Sequence, residues 1–164
     1  MRGTAKGIGM LRKAGALAAL VGIAVLAIDS SRIAFALTGP GVIRVTANEI
    51  RRVRVDLGRR GLTAGDVEVT RRLLFNKRIT PKPIGHGELV CTFTGGISRT
   101  CTGTFVLPRG KIVVGGTMLH KELFQLAVLG GTDISSNVRG TLTVTALPGR
   151  PRSDLLLFRF VAGA

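Results

Sequence analysis

The chain has no tyrosine and no tryptophan, and only two histidines and two cysteines. Each scarcity closes a route. Without tyrosine there is no phenolic acid, and with seven phenylalanines as the only aromatics there is no mixed stacking platform. Two cysteines without a CxxC spacing are too few for a structural zinc. His86 and His120 are too few for most metal sites without carboxylates. No metal or other cofactor is expected. A G-x-S-x-G elbow is missing, which removes the usual serine hydrolase signature.

What is present divides the chain in two. Arg2, Lys6, Arg12 and Lys13 form a basic leader, followed by an uncharged, mostly apolar run from Ala14 to Ile28. A polar stretch, Asp29 to Arg32, and Ala34-Phe35-Ala36 complete the order of a secretory signal peptide, with cleavage expected after Ala36. The apolar run is short for a membrane span, since a helix rises 1.5 Å per residue against a hydrocarbon core about 30 Å thick. An uncleaved anchor is the alternative. The expected organisation is therefore a signal peptide at 1–36 and one domain at 37–164, secreted to the cell exterior.

That domain keeps 19 Lys+Arg against 8 Asp+Glu, about +11 net, and the excess is concentrated in residues 37–82. A basic exported domain adheres to anionic polymer or lipid headgroups. Export argues against nucleic acid as its partner. Solubility alone would also account for the charge.

Local patterning reads as β-structure. Val53 to Leu57 and Asp66 to Phe75 alternate with period 2, with Val67, Val69, Leu73 and Phe75 on one parity. Lys77 to Gly87, with two prolines and two glycines, reads as a connecting loop. Cys91 and Cys101 lie in strand-like flanks around Gly95-Gly96. A hairpin centred there sets the two cysteines opposite each other, at a separation that a non-hydrogen-bonded pair can bridge. In an oxidising compartment this predicts a structural disulfide. Lys111 to Gly115, Lys121 to Leu129, Val138 to Leu147 and Asp154 to Val161 supply further strands. About eight strands with short Gly/Pro turns and no clear amphipathic helix predict an all-β sandwich or a closed up-and-down barrel.

The stretch "AVLGGTDISSNVRG", residues 127–140, lies between two strand-like runs. It lacks both the Walker lysine and the helix N-terminus that a phosphate loop requires. It resembles instead the G-G-T-G-x-[FY]-x-x-A-R-G hairpin of dirigent proteins and allene oxide cyclases. Gly130-Gly131-Thr132 and Arg139-Gly140 fall at that spacing, while Asp133, Ser135 and Val138 depart from it. "VLPRGKIVVGGTM", Asp56 with "GRRGLTAGD", and Gly85-His86-Gly87 match the family's order, so the resemblance covers roughly residues 44–162.

The resemblance implies an eight-stranded antiparallel barrel with a lumen open at one end, often a homotrimer. Such a barrel binds an apolar small molecule and steers its cyclisation or coupling by holding one conformer. The candidate catalytic residues are Arg139 at the family's arginine position, Asp133 in the hairpin, and Glu88 and Asp56 as proton acceptors facing the lumen. Each also has a plain structural alternative: an Asx-type turn for Asp133, an ion pair for Arg139, and a solvated outer face for Glu88 and Asp56. A non-enzymatic module that binds anionic cell-surface polymer through Arg51, Arg52, Arg59 and Arg60 is the competing expectation.

Overall fold

The computed structural model describes residues 41–76, 81–119, 123–150 and 152–161. The expected signal peptide, His120 and Glu122 lie outside the described residues. Eight antiparallel strands run in chain order: β1 Gly41–Val55, β2 Val67–Asn76, β3 Gly85–Gly95, β4 Ser98–Leu107, β5 Gly110–Leu119, β6 Leu123–Gly131, β7 Arg139–Ala146 and β8 Ser153–Val161. Each pairs with the next, and β1 pairs with β8, so the sheet closes into a barrel without edges. A 3-10 turn, Asp133–Ser135, lies between β6 and β7.

Alternation builds the interior. In β3, Leu89, Cys91 and Phe93 are buried while Glu88, Val90 and Thr92 are exposed. Two residues apart in a strand means the same face, so one row fills the lumen and the other meets solvent. Through the middle the lumen is a packed core. Phe105, Ile112, Val114, Leu142, Leu156 and Phe158 are all fully buried. The rings of Phe105 and Phe158 meet edge to face, with centroids 5.3 Å apart. Room for Phe105 comes from the partner strand. A Cβ on Gly87 would stand 2.5 Å from Phe105 Cδ1.

The hairpin of residues 127–140 has equally tight requirements. A Cβ on Gly131 would lie 2.2 Å from the Lys111 carbonyl oxygen. Gly140 has a φ of +151°, and a Cβ there would come within 1.9 Å of the Arg159 carbonyl oxygen. These contacts explain why glycine stands at both places.

Cys91 and Cys101 are direct cross-strand partners, joined by a disulfide with Cα atoms 4.0 Å apart. Both sulfurs face the lumen side, and Cys101 is fully buried.

Three strand limits differ from the sequence expectation. β1 reaches back to Gly41, because polar residues such as Asn48 and Glu49 mask its alternation. β3 begins at Gly85, inside the expected loop, because Gly85 and Gly87 accept close approach by β4 rather than breaking the strand. β5 runs through Gly115-Gly116 to Leu119 for the same reason, with Gly116 against Leu126.

Candidate functional site

Towards the end of the barrel that carries the β1–β2 loop, the inward rows become charged. Regular alternation in β1 places Val45, Ala47 and Glu49 inside. Then the β1–β2 register shifts between Glu49 and Arg51, leaving Ile50 as an extra residue. Such a bulge resets which side chains face which way. Arg52 and Arg54 fall opposite the buried Thr70 and Glu68, and Val53 and Val55 are exposed. Arg72 on β2, Arg99 on β4 and Asp154 on β8 complete the ring.

The groups are tightly matched. Arg52 grips Glu49 with two bonds, Nε to Oε1 at 3.1 Å and Nη2 to Oε2 at 2.6 Å. Glu68 accepts from Arg54 Nη2 at 3.0 Å and from Arg99 Nη1 at 2.6 Å. Arg72 bonds Asp154 through Nη1, and its Nη2 lies 3.9 Å from Glu49. The Phe93 ring sits between two cations, with the Arg54 and Arg99 guanidinium carbons 5.7 and 5.5 Å from its centroid. Four arginines thus meet three carboxylates, Glu49, Glu68 and Asp154, for a local excess of one positive charge.

Burial alone would push the Glu68 carboxyl up. The Arg54 hydrogen bond and the charges of Arg99, Arg52 and Arg54 outweigh it, and the net shift is down. Arg99 moves down too: desolvation is the main cause, partly offset by Glu68. Arg52 is raised, chiefly by its hydrogen bond to Glu49. At neutral pH Glu68 is therefore a fixed anion, a poor proton acceptor and no donor. The Glu49 and Glu68 side chains are nearly buried, while those of Arg52 and Arg54 are 44% and 43% exposed. The mouth thus offers N–H donors to whatever enters. Apolar side chains adjoin the ring: Phe93 and Met118 flank Arg99 as its cross-strand neighbours, and Cys91 of the disulfide pairs with Glu68 across β2 and β3. An open cleft of about 450 Å³ at the rim is lined by Glu49, Ile50, Arg51, Arg52 and Arg152.

The four residues singled out from sequence lie elsewhere. Glu88 is on the outer face of β3, with Arg71 Nε 3.4 Å away. Asp56 follows β1, exposed, and accepts from the Gly58 amide at 3.3 Å. Asp133 takes a left-handed φ of 55° in the 3-10 turn, and its Oδ2 accepts from Thr132 Oγ1 at 3.3 Å. Arg139 is exposed, and its Nη1 donates to the carbonyls of Leu129 at 2.5 Å and Val138 at 3.1 Å. It ties the hairpin together. None of the four touches the charged ring, and the structure does not bring them together. His86 lies within β3 rather than in a loop.

Asp66, just before β2, is buried and supports the mouth from below the β1–β2 loop. It accepts from the Leu57 and Thr63 amides at 3.0 and 2.8 Å, and these backbone bonds hold its carboxyl below the usual range.

No family model matches the chain, and no curated protein matches it in sequence. Solved structures do. The barrel distantly resembles those of allene oxide cyclase and dirigent-like proteins. A pyocyanin demethylase aligns over 74% of this chain and 100% of its own, at 22% identity and TM-score 0.65. A Diels–Alderase from Streptomyces koyangensis covers 76% of this chain and 70% of its own, at 11% identity and TM-score 0.58. A pterocarpan synthase dirigent protein covers 74% and 92%, at 12% identity and TM-score 0.57. At such identities the likeness is one of fold.

Proposed function

We propose that the protein binds an apolar small molecule in the mouth of the barrel and steers its cyclisation or coupling. The body of the ligand packs on Phe93 and Met118, and its polar end meets the half-exposed guanidinium groups of Arg52 and Arg54. The observation that carries this reading is the ring of arginines and carboxylates beside the apolar side chains of Phe93 and Met118, both cross-strand neighbours of Arg99. A carrier needs only the apolar side chains; fixed charges around them add orientation. With Glu68 locked as an anion, catalysis rests on positioning and electrostatics rather than on proton transfer. Barrels of similar fold include a Diels–Alderase and a dirigent protein, which supports the same class of chemistry. Export with cleavage after Ala36 and a homotrimer belong to the same proposal. The outward row of Val53, Val69 and Val90, adjacent across β1, β2 and β3, is the surface that suits such an assembly.

Calorimetric titration with a panel of fatty acids and phenols tests the proposal. Binding by the native protein, weakened at least about tenfold in an Arg54→Ala variant, is expected, a change of about 1.4 kcal/mol. No heat across the panel overturns it.

The polymer-binding reading keeps one observation in its favour: Arg51, Arg59 and Arg60 are exposed. Arg52, however, faces the mouth and is committed to Glu49. Retention on a polyanion column that survives replacement of Arg51, Arg59 and Arg60 by serine removes that alternative.

A further inference from the structure

The opposite end of the barrel holds a second cavity, of about 370 Å³. Its apolar walls are Ile43 and Val45 of β1, Ile84, Leu107 of β4, and Ile134 of the 3-10 turn, with Asn76 and Ser135 as neutral polar members of the lining. Arg44 and Arg109 stand at its rim. Both are exposed, and neither makes an ion pair among the described residues. No carboxylate lines the cavity among the described residues. The nearest acid in sequence, Asp133, adjoins Ile134, and its Oδ2 accepts from Thr132 Oγ1 at 3.3 Å.

This cavity is not the lower part of the mouth. Phe105, Phe158 and Ile112, all fully buried, belong to the packed layer that fills the barrel between its ends. A ligand at one end therefore does not touch a ligand at the other.

We propose that this far-end cavity is a separate binding site for a small amphipathic carboxylate. The volume falls at the low end of the range of ligand pockets, roughly 300–1,000 Å³, which suits a compact ligand. The walls are mostly aliphatic, so the buried part of the ligand is mainly hydrocarbon. Two guanidinium groups without carboxylate partners in the lining select an anionic head, and arginine's planar fork matches a carboxylate. The hairpin of residues 127–140 supplies one wall, so binding there is coupled to the position of Ile134.

Octanoate is the probe, followed by amide NMR shifts on the full chain, with 1-octanol as the uncharged comparison. The expected result is shifts at Ile43, Ile84, Leu107 and Ile134 that persist in Arg54→Gln. Affinity falls about tenfold in Arg44→Gln/Arg109→Gln, which alters only exposed side chains, and is unchanged in Arg54→Gln at the mouth. Ile134→Trp fills the cavity and abolishes binding; because the chain has no tryptophan, its emission also reports whether the cavity closes. Shifts at Phe93 and Met118 alone, vanishing in Arg54→Gln, assign octanoate to the mouth and overturn the proposal. So does equal binding of 1-octanol, or the absence of shifts at the far end. The proposal for the mouth is judged separately, because its panel is read through Arg54.

Discussion

The two ends of this barrel use one alternating pattern for opposite purposes. At the far end the inward row is Ile43, Val45, Leu107 and Phe160, with cations confined to the rim. At the mouth Glu49, Glu68, Arg72 and Arg99 are buried, and Arg52 and Arg54 reach in from the rim to pair with the two glutamates. An apolar interior tolerates truncation according to the void left behind. A charged interior tolerates change according to which partner is orphaned. The contrast shows that a barrel of this size can carry a hydrophobic core and a polar site in one closed sheet, provided that every buried charge is paired.

Four measurements sharpen the contrast. The largest effect is expected in the apolar layer. Phe158→Ala removes a fully buried ring that touches both Phe105 and Phe160, and urea unfolding should show a loss of about 3–5 kcal/mol. At the mouth, Glu68→Gln removes the carboxylate shared by Arg54 and the buried Arg99, and a loss of about 3 kcal/mol is expected. Converting Glu68 and Arg99 together to leucine should recover part of it. If the double variant is as weak as the single one, the charged ring is not a paired unit. Cys91→Ser with Cys101→Ser should cost roughly 2–3 kcal/mol by the loop-entropy argument, with thiol titration of the native protein finding no free sulfhydryl. The smallest effect belongs to the outer face. Glu88→Ala breaks only a half-exposed pair with Arg71, and less than about 1 kcal/mol is expected.

Acid titration bears on the same comparison. The folded-state pKa values of Glu68 and Asp66 are both depressed. Their contribution is therefore fully present above the unfolded carboxylate values, near 4, and is lost as pH falls through the lower folded values. Asp66→Asn should flatten that acid limb without altering stability's dependence on pH above about 6, because Asp66 is fully ionised there in both states.

Much of the fold was legible. Turn glycines, period-2 runs and the spacing of Cys91 and Cys101 around Gly95-Gly96 were enough for about eight strands in a sandwich or closed barrel with that disulfide, and the likeness of residues 127–140 to the dirigent hairpin pointed to the barrel. The facing of strands was not. In β2 the apolar parity of Val67 and Val69 looks like the buried one, yet Glu68, Thr70 and Arg72 are inside. The reason is that a paired, desolvated charge and a solvated one look identical in a single strand. Only cross-strand registers such as Arg54 opposite Glu68 reveal the difference. Glu88 and Asp56 were picked because they stand out locally, whereas the charged ring draws on β1, β2, β4 and β8. A usable signal did exist: Arg52, Arg54, Glu68, Arg72 and Arg99 all sit within strand-like runs where charge is costly without a partner.

The extra residue at position 50 has a consequence for how such a barrel can change. Had β1 continued unbroken past Glu49, Arg51, Val53 and Val55 would face the opening and the guanidinium groups of Arg52 and Arg54 would point at water. With the bulge kept, one codon inserted between Arg51 and Arg52 is therefore enough to exchange a cationic entrance for a greasy one, with the remaining seven strands left as they are. Ligand preference in this architecture can drift in single steps of strand length, without any substitution at a residue that touches the ligand.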